Sequence, residues 1–442
     1  MRKKLIVGMS MVLALTLGLT SCGGKEEKKP ASSGEAKGIK AEISVQAEKE
    51  WMDYYNNAIE RVKKDNPDAT INIIEKGAFD HIDVIDQTDG TNKDVADVFA
   101  IPIDRISGLV KNDVLGAVDT EYIKSKVAGY EDLDNGIGKN FKVDGDYLGF
   151  PYNIETLVVY ANKANAEAKG VDYSNPLEFN DLKQNDFVTK IHDLWFGVAF
   201  LNSADINLLT KEDDGKLTTD LTTPYSELSE DKQAVFESLY NYWKGNSEEN
   251  SPILDKSSAD SFIDESFKSG GESSLRLDGP WAMNSLGEFT NEGNDLDVIS
   301  TEMITVNGKP LKHWKSGWGL VINSRIEVDE DKMALANALI AELINPEFAE
   351  DLFKATGKIL ENVPVEDYEK TGLSDADKNV IKATIDSYEK SVARPTFSEI
   401  DNVWTTWENA ILSWNSVKPA DAEAAYNEVK ASFEAFMTNL GQ

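Results

Sequence analysis

Between residues 41 and 114 strand signals alternate with helix signals, and no other feature narrows the possible folds as much. "AEISVQA" (41–47) alternates apolar and polar residues as a half-buried strand does. "EWMDYYNNAIERVKKDNPD" (50–68) carries apolar residues at helical spacing and is stopped by Pro67. "ATINIIEKG" (69–77) and "VADVFAIP" (95–102) read as two further strands, and "IDRISGLVKNDV" (103–114) as a helix. Strand, helix, strand, helix predicts a largely parallel α/β sheet with right-handed crossovers.

A chain of 442 residues exceeds one hydrophobic core, so two domains are expected. "GDYLGFPYNIETLVVYANK" (145–163) breaks the alternation. It reads as two strand-like runs around Pro151 with no helix between, a segment able to carry the chain from one domain into the next. The middle third is more helical, as in "LSEDKQAVFESLYNYWKG" (228–245), before strand signals return at 271–281, 295–304 and 317–324. From "DKMALANALIAELINPEFAEDLFKATG" (331–357) onward only helix signals are found, so no strand is expected after about residue 324.

The first 22 residues read as a targeting segment. Arg2, Lys3 and Lys4 precede the apolar run "LIVGMSMVLALTLGL" (5–19), which is short for a membrane span. It closes on "LTSC" (19–22), which is similar to the bacterial lipobox, whose cysteine is lipidated and becomes the mature N-terminus. Cys22 is the one cysteine of the chain, so neither a disulfide nor a thiolate metal site is expected. "GGKEEKKPASSGEAKGIK" (23–40) has no large aromatic and reads as a flexible tether. The expected location is the extracytoplasmic face of the cell membrane, held by lipid.

Several function classes lose ground. A net charge of −33 disfavours nucleic acid, whose phosphates need a basic footprint. The three histidines, His81, His192 and His313, are scattered, and no zinc spacing, P-loop, dinucleotide fingerprint or Gly-x-Ser-x-Gly elbow occurs. "DQTDGTNKD" (86–94) misses the EF-hand spacing and reads as a solvated loop. No cofactor or metal is expected. A glycosidase needs only two carboxylates, and among 78 acidic residues such pairs have no specificity. An enzyme stays as a minor alternative.

The tryptophans are more informative. In "LRLDGPWAMNSL" (275–286), Trp281 follows a Gly279–Pro280 turn at the end of a strand, where α/β domains bind ligands. "DNVWTTWENAILSW" (401–414) holds three more. Core packing accounts for Trp407 and Trp414, whereas Trp404 falls in the first turn of a helix, another rim position. Flat aromatic faces suit a ligand with an apolar face and polar edges, such as a sugar ring.

These motifs resemble the extracellular solute-binding proteins of carbohydrate ABC importers, of the maltose/maltodextrin-binding type, from about residue 41 to 440. "LRLDGPWAMNSL" is similar to the family's strand-Asn-Gly-Pro-Trp signature, so Trp281 matches its sugar-stacking Trp. "VADVFAIPIDR" (95–105) resembles the strand ending in Asp-Arg, matching Asp104 and Arg105. "GDYLGFPYNIETLVVYANK" resembles the crossover segment whose glutamate, here Glu155, contacts sugar. "ARPTFSEIDNVW" (393–404) leads to a second stacking aromatic, Trp404. Glu48–Lys49 corresponds to the family's Asp-Lys near the first strand end. There are departures. Ile101 stands where the family carries a Trp, and Thr405 and Glu408 replace a Tyr and an Arg. The family's Glu-Pro-Tyr-Phe stretch falls near His192–Phe196, where Trp195, or else Trp51, would replace the lost platform.

The resemblance implies a periplasmic-binding-protein-like fold of type II, with two discontinuous α/β lobes joined by hinge segments. The first lobe would span 41–155 and 317–375, the second 156–316 and 376–442. It implies capture of a maltodextrin-like oligosaccharide between the lobes and delivery to an ABC permease, with membrane attachment through Cys22. The implied ligand residues are Glu48, Lys49, Asp104, Arg105, Glu155, Trp195, Trp281 and Trp404. Arg105 has a second reading, as an ion-pair partner of Asp104. The alternatives are a different oligosaccharide or another solute such as a peptide, and a surface glycoside-degrading enzyme.

Overall fold

A computed structural model describes residues 38–441. The proposed lipobox Cys22 and the tether up to residue 37 lie outside the described residues. Ile39, placed in the tether on composition, is buried, and its amide donates to Asn66 Oδ1 at 3.1 Å. The folded part therefore begins slightly earlier than expected.

The chain opens with β1 (Glu42–Ala47), α1 (Met52–Asp65), β2 (Thr70–Glu75), α2 (Ala78–Gln87) and β3 (Val98–Pro102). In α1 the residues Tyr55, Ala58, Ile59 and Val62 form the buried stripe, as their spacing dictates. β4 (Phe150–Glu155) and β5 (Val158–Asn162) follow, then β6 (Phe187–Val188), α3 (Leu194–Ser203), α4 (Glu230–Glu248), β7 (Leu275–Asp278) and β8 (Leu296–Ile299). β9 (Trp314–Asn323), α5 (Glu330–Leu343), α6 (Ala349–Thr356), β10 (Ile359–Leu360), α7 (Asp375–Lys390), β11 (Val392–Ala393), α8 (Asp401–Val417) and α9 (Ala422–Asn439) come last, with further short helices and strands between the elements named.

Two lobes result, each with its own sheet. The first sheet runs β10-β4-β9-β3-β1-β2, and the second β6-β7-β5-β8. β1 pairs in parallel with β2 and β3, as the alternation predicts. The first sheet is nevertheless mixed, because β9 is antiparallel to both β3 and β4. Connectivity requires this. β4 leaves the sheet at the end facing the second lobe, and β9 comes back in at that same end.

Two further expectations are corrected. Pro151 does not separate two strands; it lies within β4, at the irregularity where register slips opposite Trp318 and Gly319. A bulge is one of the few interior positions where a missing N–H is tolerated. Strands also recur after residue 324. β10 and β11 are two residues each, too short to show any periodicity. Trp407 and Trp414 are fully buried in the second lobe, and their indoles donate to the carbonyls of Ile191 and Ala425.

Candidate functional site

A cleft between the lobes holds a cavity of about 950 Å³ lined from both sides. Its second-lobe wall is aromatic. Asp193 caps α3 by accepting the amide of Trp195 at 3.0 Å, which places that indole in the helix's first turn. Trp404 occupies the first turn of α8. The two rings stack with centroids 6.4 Å apart and planes 16° apart, and Trp281 stands 6.3 Å from Trp195. Gly279 makes the Trp281 pose possible, since a Cβ there would fall 2.1 Å from the indole. Few large hydrophobic side chains among the described residues are exposed, and two of them line this cleft: Trp281 at 41% and Phe79 at 62%.

Beneath this wall lies Arg394, directly after β11. Its guanidinium carbon sits 5.1 Å from the Trp195 ring centre, 5.4 Å from that of Trp404 and 5.5 Å from that of Trp314. The same guanidinium ion-pairs with Asp104 of the first lobe and donates to Ser316 Oγ at 2.8 Å. Asp104 Oδ1 and Asn153 Oδ1 are buried acceptors with no hydrogen-bond partner among the described residues, and both residues line the cavity.

The first-lobe wall is charged. Glu155 ends β4, and the Trp318 indole donates to both of its carboxylate oxygens at 3.1 Å. Burial pushes the Glu155 pKa up, while Lys358 nearby holds it down. The Lys358 ammonium is itself buried, 4.7 Å from the Trp51 ring centre and 4.8 Å from that of Trp318. Burial lowers its pKa, and Glu155 and Glu48 offset part of that. Phe79 stands edge-on to Trp318 at 5.2 Å on the rim of this wall. The lobes touch at the cleft's edge. Gly357, in the left-handed region at φ 68°, packs so that a Cβ would lie 3.0 Å from the Pro280 carbonyl.

The sequence-derived candidates Glu48, Asp104, Arg105, Glu155, Trp195, Trp281 and Trp404 all line this cavity, as does Trp51. Lys49 does not. It is exposed, because the short turn of residues 49–51 directs Trp51 inward and leaves Lys49 on the outer side. Lys358 supplies the cation beside Glu48 instead. Arg105 does not pair with Asp104 either. Arg105 bonds Asp86 at 2.8 Å, and Asp104 takes Arg394. Lys358, Arg394, Trp318, Phe79 and Asp401 also line the cleft and were missed. Arg394 lay inside the quoted "ARPTFSEIDNVW" segment, so its signal was available. Lys358 carried none, since it follows a helix stop and precedes a strand of two residues.

A second cavity of about 750 Å³ is lined by charged groups of both signs and by no tryptophan. Among the described residues no cluster of three or more His, Cys, Asp or Glu could hold a metal ion.

Residues 57–364 match the family described as bacterial extracellular solute-binding protein. The chain belongs to this family. This solute-binding protein is 25% identical over 434 residues to the maltodextrin-binding protein MdxE of Bacillus subtilis (strain 168), covering 94% of this chain and 93% of that one. Its fold is similar to that of the maltose-binding periplasmic protein MalE of Listeria monocytogenes, solved in complex with maltose. There the TM-score is 0.69 at 21% identity, over 91% of this chain and 98% of that one. MalX of Streptococcus pneumoniae, solved with maltopentaose, gives a TM-score of 0.68 at 17% identity, over 90% of this chain and all of that one. In a solute-binding protein of two lobes, the cleft described above is where one ligand can touch both.

Proposed function

We propose that this solute-binding protein captures an α-linked glucan oligosaccharide of the maltodextrin type between its lobes and delivers it to a membrane ABC permease. The observation that carries the reading is the stacked Trp195–Trp404 pair with Trp281 beside it, facing Glu155 and Lys358 across one cleft. Pyranose rings have apolar faces for the indoles and hydroxyls for the charged edge. The unpartnered oxygens of Asp104 and Asn153 accept hydroxyl donors. The maltodextrin-binding name of the B. subtilis relative supports the same ligand class.

The moving bodies are residues 41–155 with 317–375, and 156–316 with 376–442. A ligand that touches both favours the closed arrangement and shifts the population toward it. Glu48, Asp104, Arg105, Glu155, Trp195, Trp281 and Trp404 bind it. No bond is cleaved in this reading, so maltodextrins are expected to be recovered intact after long incubation with the pure protein, and reproducible shorter products would overturn it. A lipid on Cys22 would be the attachment to the extracytoplasmic face of the membrane, so Cys22→Ser should release the protein or leave its precursor unprocessed, which membrane fractionation checks.

Calorimetry against maltose, maltopentaose, unrelated oligosaccharides and peptides tests the reading. Binding confined to maltooligosaccharides is expected. Binding only to another sugar or to a peptide overturns the ligand class.

A further inference from the structure

The chain passes between the lobes three times, and the first two crossings each place a buried hydroxyl or imidazole in a common cluster, which Ser391 of the second lobe joins. Thr156 follows β4, His313 precedes β9, and Ser391 joins α7 to β11. Thr156 Oγ1 lies 3.2 Å from His313 Nδ1 and 3.2 Å from Ser391 Oγ. The Val392 amide donates to the His313 carbonyl at 2.9 Å. The other ring nitrogen, His313 Nε2, faces the Trp195 carbonyl oxygen at 2.8 Å. A carbonyl only accepts, so Nε2 carries the hydrogen. Burial, with Arg394 nearby, brings the His313 pKa down to about 3, so the ring is neutral and Nδ1 is left to accept from Thr156. The imidazole also stands edge-on to the Trp195 indole, centroids 4.3 Å apart at 75°. Trp195 in turn meets Trp281, Trp314 and Trp404.

We propose that His313 is a positioning residue for ligand binding, fastening Trp195 to the crossing point of the hinge segments so that the aromatic wall's tilt follows the angle between the lobes. The inference rests on the cleft being the ligand site. An imidazole kept only for its volume would need neither hydrogen bond. Here one nitrogen faces the hinge and the other holds the first turn of α3. Rotation about the first crossing turns Thr156, the residue directly after β4, and the directional bonds from Thr156 through His313 carry that movement to the indole on which the wall is built.

Three variants separate coupling from packing. His313→Phe keeps an aromatic ring and loses both bonds. His313→Gln places an amide nitrogen near the Nε2 position and restores the donor to Trp195. Thr156→Val removes the hinge end alone. Near-ultraviolet circular dichroism of the ligand-free protein reports indole packing, calorimetry with maltopentaose reports affinity, and melting temperature reports the folded fraction. His313→Phe and Thr156→Val are expected to alter the indole spectrum and to weaken maltopentaose roughly tenfold. His313→Gln returns to within about threefold of the wild type, and the Phe/Val double variant is no worse than His313→Phe alone, because both act on one chain of bonds. An indole spectrum and affinity that stay at wild-type values in His313→Phe and Thr156→Val overturn the proposal, as does strict additivity. If the wild type does not bind maltopentaose, the maltodextrin reading fails by itself. The ligand-free spectra then decide: an altered signal in Thr156→Val upholds the coupling, and an unchanged one overturns it.

Discussion

The second-lobe wall of the cleft is indole against indole, set by the first turns of helices, while the first-lobe wall is a carboxylate and an ammonium held between rings. The aromatic wall keeps its shape through apolar contact, which costs nothing further to present to a ligand. The charged wall holds groups that burial disfavours and that need each other. With the proposed ligand in this cleft, affinity is expected to come mainly from the first kind of surface, and discrimination between hydroxyl patterns from the second. Arg394 belongs to both, since its guanidinium faces the indoles and pairs with Asp104.

The largest effect is expected where the walls share a residue. Arg394→Ala leaves Asp104 buried without its counter-charge and should lower stability by about 3–5 kcal/mol. Chemical denaturation measures this, and an unchanged midpoint would mean that the walls are held independently. Trp281→Ala comes next. It should weaken maltopentaose by roughly 2 kcal/mol or more, about thirtyfold, with little change in melting temperature. A core tryptophan would reverse the pattern, with stability falling and affinity per folded molecule kept.

Lys358→Met probes the charged wall and should weaken binding by about tenfold, ~1.4 kcal/mol. It also has a pH signature. Burial raises the Glu155 pKa above the ordinary carboxylate value, so the folded protein keeps this proton where the unfolded chain has lost it. Its contribution to stability is thus present at low pH and lost as pH rises through the raised value. Binding through the carboxylate runs the other way and declines as pH falls through that value. Lys358 is the main influence holding the pKa down, so in Lys358→Met the decline should begin at higher pH. Calorimetry across a pH series reads the shift, and identical profiles would remove Glu155 from the contact. Lys49→Ala, on the exposed side of its turn, should change binding and stability by less than about 0.5 kcal/mol. A larger loss would return Lys49 to the site.

The candidate site was legible wherever a side chain follows a strong local signal. Trp281 sits behind a Gly-Pro turn, Trp404 at a helix start, and Asp104 and Glu155 at the ends of apolar strands. These positions are set by neighbours within a few residues. Trp318 was visible as part of a strand, but nothing local said that its indole would hold Glu155 from a neighbouring strand. The pairing of Asp104 joins residues 290 positions apart and has no local trace.

What the sequence by itself determined is the set of elements with regular periodicity: the parallel β1-β2-β3 unit, the long helices, the core tryptophans and the rim aromatics. Period and punctuation encode these directly. Tertiary structure alone decided the direction of β9, the two-residue strands β10 and β11, and the seats of Lys358 and Arg394 that follow from them. A strand of two residues has no period to read. It exists because the adjoining strand offers unpaired backbone groups, and a cation beside it is buried because rings and carboxylates from distant parts of the chain converge there.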